Sequence, residues 1–301
     1  MGGREPSLDL LGEDGPVSLR RTAAVVAMLA LASCTTSPSD DAGAPSPPPS
    51  ATSSAPGSQE RRTTEQVDPP TPPAEGECHR LTFGQLARAS NDSDPVPCRG
   101  THNAVTIHVG ELHTVVDERS AAADSKKVLE QVSTSCPRQL RSYVGGTRSS
   151  RALSRFQVVW FTPTPEQLEA GATWFRCDLV AFAGHERLAP LPRPGRLSGV
   201  LDDTDALDSY GLCGTAEPGS AGFERVICSR RHSWRATSII GLDGGAKYPG
   251  ARAVRRAGDE TCKDRVRRLS ASSLRFSYGW EWPTRDQWRR GQRYGFCWSP
   301  R

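Results

Sequence analysis

The sequence predicts an α+β protein built as two tandem small domains, each a disulfide-stapled antiparallel sheet packed on one main helix. Three observations predict it. One stretch occurs twice: residues 155–177 (RFQVVWFTPTPEQLEAGATWFRC) and 275–297 (RFSYGWEWPTRDQWRRGQRYGFC) align without a gap at an offset of 120. They share Arg155/Arg275, Phe156/Phe276, Trp160/Trp280, Pro163/Pro283, Thr164/Thr284, Gln167/Gln287, Gly171/Gly291 and Cys177/Cys297. Cysteines other than Cys34 divide four and four, as Cys78, Cys98, Cys136 and Cys177, then Cys213, Cys228, Cys262 and Cys297. Between them, β-branched and aromatic runs alternate with one helical pattern per half.

Taken in order, the chain opens with an export leader. Arg20 and Arg21 precede the apolar run 22–32 and then Ser33-Cys34. Eleven apolar residues behind a basic pair suit a secretory signal and are too short to cross about 30 Å of hydrocarbon. Leu31-Ala32-Ser33-Cys34 resembles the lipobox of bacterial lipoproteins, which implies cleavage after residue 33 and lipidation of Cys34; the other reading is an ordinary signal peptide with an incidental cysteine. Residues 1–16 hold four acidic residues, contrary to an export n-region, so the leader is expected to start at Val17. Residues 34–77 carry almost no large apolar side chain and are expected to form a disordered Ser/Pro-rich tether, since nothing there offsets the entropy of ordering.

The first repeat is expected over 78–187, a Pro- and acid-rich solvated linker over 188–210, and the second repeat over 211–301. Runs 104–110 (AVTIHVG) and 235–241 (RATSIIG) read as strands. Segment 120–136 places Ala122, Val128, Leu129 and Val132 at helical spacing, and 251–269 is its more polar counterpart. The repeated stretch then supplies strand, short helix and strand. Thr164-x-x-Gln167 and Thr284-x-x-Gln287 read as capping boxes, Pro165 suits a first helical position, and Gly171 and Gly291 suit the left-handed stop.

In an exported chain the eight cysteines read as four disulfides. Each half allows three pairings and the sequence excludes none; the pairing expected is first with second and third with fourth. No C-x2-C cluster suggests zinc, and no metal or other cofactor is expected.

The motifs Gly-x-Cys (Gly76-Glu77-Cys78, Gly211-Leu212-Cys213), Cys-x3-His (Cys98 to His102, Cys228 to His232), a helical cysteine and Pro-Thr-x3-(Leu/Trp)-x2-Gly-x5-Cys resemble the septum formation domain of actinobacterial envelope proteins. The first half departs from that pattern at Leu168 and Asn103, the second at Ile227, where the pattern has proline. The resemblance implies a link to division and envelope assembly and states no chemistry.

His102 and His232 are the residues to examine for chemistry, as ligands or a general base, against the plainer reading that each fixes the turn entering a strand. The chain lacks H-E-x-x-H, G-x-S-x-G, a P-loop and G-x-G-x-x-G, so no catalytic site is expected. The seven tryptophans are either core or a sugar- or peptidoglycan-binding platform, with Trp282 and Trp288 the binding candidates. Asp202, Asp203, Asp205 and Asp208 lack an EF-hand register and read as solvated. Residues 213–301 carry 18 Lys+Arg against 8 Asp+Glu, or +10, whereas 78–190 carry 13 against 11, or +2. Outside the cytoplasm such a basic face, with Arg255, Arg256, Arg267 and Arg268 in clusters, points to anionic lipid or cell-wall polymer and not to nucleic acid; the alternative is an ordinary solubilising helix face.

The expected function is thus a membrane-anchored, extracytoplasmic lipoprotein acting as a non-catalytic binding or scaffold module, with envelope or division proteins as further partners. The competing expectation is an envelope hydrolase using His102 or His232.

Overall fold

The computed structural model describes residues 69–301 apart from 114, 117–118, 121–124 and 204; the expected leader, Cys34 and the tether as far as residue 68 lie outside the described residues. The first half comprises β1 (Cys78–His79), a 3-10 turn (Phe83–Ala87), β2 (Ala104–Glu111), a small hairpin of β3 (Val115–Val116) and β4 (Arg119–Ser120), α1 (Lys126–Val144), α2 (Arg148–Ala152), β5 (Phe156–Phe161), α3 (Pro165–Glu169), β6 (Trp174–Gly184) and β7 (Arg187–Leu188). After α4 (Ala206–Tyr210) the second half comprises β8 (Leu212–Gly214), β9 (Arg225–Ile227), β10 (Trp234–Gly241), α5 (Ala251–Leu269), β11 (Gly279–Glu281), α6 (Arg285–Arg289) and β12 (Tyr294–Pro300).

The two antiparallel sheets have one topology. The first runs β1-β2-β6-β5 with β7 beside β6, and the second runs β8-β10-β12-β11 with β9 beside β8. Where β9 pairs Cys213 with Val226, the first half has a single bridge between Cys78 and Val96. Registers also coincide: Trp160 faces Cys177 as Trp280 faces Cys297, and both long pairings break register at the same place, between Thr106 and His108 and between Ala236 and Ser238. The fold class and the repeat read from the sequence are therefore present down to individual residue pairs.

Period-2 alternation explains the core. Along β6, Phe175, Cys177, Leu179, Ala181 and Ala183 face one side and pack with Val128, Val132 and Cys136 of α1. Val180 and Phe182 face the other, against Leu81 and Leu86. Each main helix buries a stripe at i+4 spacing, Val128, Val132, Cys136 and Val144 in α1 and Val254, Gly258, Cys262 and Val266 in α5. Four disulfides form, Cys78–Cys98, Cys136–Cys177, Cys213–Cys228 and Cys262–Cys297, in the pairing expected. The second and fourth tie the main helix to the central strand at equivalent points.

Packing differs between the copies through one exchange. The cross-strand pair Gly110–Phe175 becomes Ile240–Gly295. Gly110 leaves room for the ring of Phe175; Gly295 and Gly258 leave room for the indole of Trp280, which a methyl group at either would overlap. Both capping boxes form, Thr164 accepting from Gln167 N and Thr284 from Gln287 N, and Gly171 and Gly291 take positive φ of 90° and 94°.

Three expectations need correction. Helix α1 begins at Lys126, capped by Ser125, and continues through Pro137 to Val144; Leu129 is 40% exposed and Ala122 lies outside the described residues. The apolar stripe continues past the proline, and Ser133, whose carbonyl loses its usual partner, lies on the exposed side of the helix. The end of the expected tether is bound to β2: Gly76 N donates to Thr106 O, and Glu75 accepts from Val109 N and lies 3.1 Å from His108. The segment 188–210 is not solvated, because Ala189, Leu191, Leu197 and Leu201 enter the first half's core beside Ile227.

That segment draws the halves together. Arg155 N donates to Tyr210 O and Leu212 N to Leu153 O, and Leu153 packs with Leu212, Trp234 and Trp298. Glu224 accepts from His185 N and pairs with Arg187, while Arg148 stacks over Tyr294. All described residues fall in one compact unit.

Candidate functional site

The histidine that recurs four residues after a cysteine does the same thing twice. His102 Nδ1 faces Gly100 O at 3.0 Å, and His232 Nδ1 faces Arg230 O at 2.7 Å. Each ring thus closes the turn that delivers the chain into β2 or β10. His102 is buried, and its Nε2 faces Pro192 O at 3.1 Å while Leu191 N donates to His102 O, so the ring clasps the segment 188–210 to the sheet. His232 is half-buried.

A polar cluster that the sequence did not single out lies on the far face of the first sheet. His79, Thr106, Arg176 and Asp178 are each buried to 3% exposure or less, with Asn91 beside them. Thr106 Oγ1 donates to Asp178 Oδ1 at 2.9 Å, so the same hydroxyl oxygen must accept from His79 Nε2 at 3.2 Å. This direction places a proton on His79 Nε2, while Nδ1 has no hydrogen-bond partner. Burial, and then the Arg176 charge, push His79 down to about 4. Burial pushes Asp178 up to about 6 against the pull of Arg176 and Thr106. Arg176 Nε stands 3.2 Å from Asp178 Oδ2, close enough for an ion pair but off the hydrogen-bond direction, while its Nη2 donates to Asn91 Oδ1 and its guanidinium covers Phe161 at 5.0 Å. A substrate cannot reach groups enclosed in this way, so the cluster orders the sheet.

The second half replaces this cluster with aromatics. Gly214, Ala236, Phe296 and Trp298 stand at the places of His79, Thr106, Arg176 and Asp178. Glu281, in the place of Phe161, accepts from Trp298 Nε1 at 3.1 Å and pairs with Arg225, whose guanidinium covers Phe296.

The arginine and tryptophan candidates separate by position. Arg255 is exposed and stacks over half-buried Trp282 at 5.2 Å. Arg256 and Arg268 are exposed, while Arg267 pairs with Asp264 and stacks over Phe276. Trp288 is 0% exposed, beneath Arg293 and donating to Gly245 O, so it is core and presents no binding surface. Trp174, Trp234, Trp280 and Trp298 are buried as well. Of the four aspartates, Asp202 accepts from Gly146 N and Asp208 pairs with Arg235, so both are used in structure. Among the described residues no group of His, Cys, Asp or Glu gathers in a way that could hold a metal, and no helix is long and apolar enough to cross a membrane. A shallow depression on α1, lined by Lys127, Glu130, Gln131, Thr134, Ser135 and Arg138, is bounded by that one helix.

These features define a class: a duplicated, disulfide-stapled α+β protein whose shared residues hold the fold. The model of a family described as septum formation matches residues 49–154 and, overlapping them, residues 75–297. The longer match alone spans most of the chain and crosses both halves, and the chain belongs to the septum formation family. Membership points to a role in septum formation or the cell envelope. No curated protein and no solved structure matches the chain.

Proposed function

We propose that the protein is a lipoprotein anchored through Cys34 on the outer side of the cell membrane, serving as a non-catalytic binding or scaffold module in envelope assembly or septum formation. The observation that carries the proposal is the set of four disulfides at equivalent points of the two copies. Such bonds persist where no reducing pool opens them, which supports export. The matching use of His102 and His232 on turn carbonyls supports a structural role for both. A second reading, uptake of an anionic surface by the second half, is favoured by its +10 balance.

Two alleles test the proposal in the native cell. With Cys34→Ala the chain is expected to lose palmitate labelling and leave the membrane fraction. With His102→Gln and His232→Gln together, a folded protein is expected to support normal septation; a folded double variant that fails to do so returns the hydrolase reading.

A further inference from the structure

The two most exposed large apolar side chains of the described residues, Leu269 at 68% and Leu274 at 93%, lie five residues apart, the first closing α5 and the second in the connection from α5 to β11. Single exposed leucines need no explanation, but two this exposed within one short stretch place apolar surface at the end of α5 and on the loop that follows it. The loop is tied in place. Ser270 N and Oγ both donate to Val266 O at the end of α5, Arg275 N donates to Ser272 Oγ, and Phe276 is held beneath Arg267.

Charge frames this tip. From Arg265 to Trp280 the chain carries four arginines and no Asp or Glu. Arg268 and Arg275 are exposed, and the carboxylates that touch this end of α5 are engaged, Asp264 with Arg267 and Asp259 with Tyr278. We infer that the segment 268–276, the last residues of α5 and the loop after it, is a membrane-contact element: Leu269 and Leu274 enter the headgroup–acyl boundary of a bilayer while Arg268 and Arg275 bind the phosphates of anionic lipids. A soluble or wall-bound polyanion would use the arginines but gain nothing from the leucines, which is why the lipid surface is favoured. The inference deepens the anionic-surface reading, and it concerns a contact separate from any acyl chain on Cys34.

The test uses the full chain with Cys34→Ala, so that no lipid anchor contributes, in co-sedimentation with vesicles of phosphatidylcholine alone or with about one third phosphatidylglycerol. Binding is expected to the mixed vesicles and to weaken with salt. Leu269→Asn with Leu274→Asn is expected to weaken it about tenfold or more, and Arg268→Gln with Arg275→Gln to weaken it about tenfold and flatten the salt dependence. Leu274→Asn alone, at the most exposed position, guards against a folding defect in the double variant. The inference is overturned if the leucine variants bind as the parent does, if the parent binds no vesicle, or if the leucines instead mediate self-association seen by sedimentation without lipid. Leucine variants that bind as the parent does overturn the inference and leave the anionic-surface reading standing, whereas a parent that binds no vesicle overturns the inference and removes anionic lipid from that reading.

Discussion

Asp178 and Trp298 occupy the same place in the repeat, Asp178 opposite Thr106 across β2 and β6 and Trp298 opposite Ala236 across β10 and β12. One copy fills the far face of its sheet with a buried ion pair and hydrogen bonds, the other with an indole. A buried pair of this kind is weak evidence for stability, because desolvation offsets the attraction, but breaking it by removing one partner typically costs about 3–5 kcal/mol. Asp178→Asn is therefore expected to destabilise the protein by a few kcal/mol in urea unfolding, since it leaves the Arg176 charge buried.

The same cluster predicts opposed pH dependences. The unfolded chain protonates His79 near 6.5 but the folded chain only near 4, so acidification through that window removes stability. Asp178 runs the other way: the folded chain takes up its proton near 6 and the unfolded chain near 3.8, so acidification through that window adds stability. The two contributions largely cancel in the parent. His79→Gln is expected to raise the urea midpoint at pH 4 relative to pH 6.5, compared with the parent, and Asp178→Asn to lower it. Identical slopes in all three proteins would remove this account of the cluster.

Disulfide loss is expected to scale weakly with the chain enclosed. The pair Cys213–Cys228 is separated by 15 residues and Cys136–Cys177 by 41. Chain-entropy arguments give about 3 and about 4 kcal/mol respectively. Calorimetry of the two paired alanine variants measures both. Full reduction is expected to abolish the near-UV circular dichroism signal.

Gly258 is fixed by Trp280. Gly258→Ala is expected to cost about 1–3 kcal/mol through overpacking, whereas Gly245→Ala, where a methyl group meets nothing within 4 Å, should be close to neutral. Combining Gly258→Ala with Trp280→Leu should restore part of the loss in thermal melts, because the smaller side chain vacates the space.

The capping threonines offer a finer check. Thr164→Ala and Thr284→Ala each remove a side chain that accepts from a backbone N–H, and each is expected to cost about 1 kcal/mol. Similar losses at both positions, read by urea midpoint, follow from the equivalent geometry of α3 and α6.

Much of the fold was legible because it is written twice. The offset of 120 fixes which residues correspond between 155–177 and 275–297, and the capping boxes and glycine stops there are local signals that require no tertiary information. The polar cluster was hidden because His79, Thr106 and the pair Arg176 and Asp178 come from three separate strands, and Gly214, Ala236, Phe296 and Trp298 stand in their places in the second copy. One signal was present: Arg176 and Asp178 flank Cys177 where Phe296 and Trp298 flank the matching Cys297. The segment 188–210 was misread because its prolines and aspartates outweighed the leucines at 191, 197 and 201, whose burial depends on the distant Cys136 helix and on Ile227. Trp288 belongs with these, since proximity to arginines in sequence says nothing of enclosure.

The most direct measurement of the central claim, an oxidised duplicated module displayed at the membrane, is the intact mass of the full-length protein isolated from its native membrane, after thiol alkylation with and without prior reduction. The expected species is a chain beginning at an acylated Cys34 whose eight other cysteines take up alkylating agent only after reduction. A chain from the soluble cytoplasmic fraction, unacylated and with thiols that react before reduction, would contradict it.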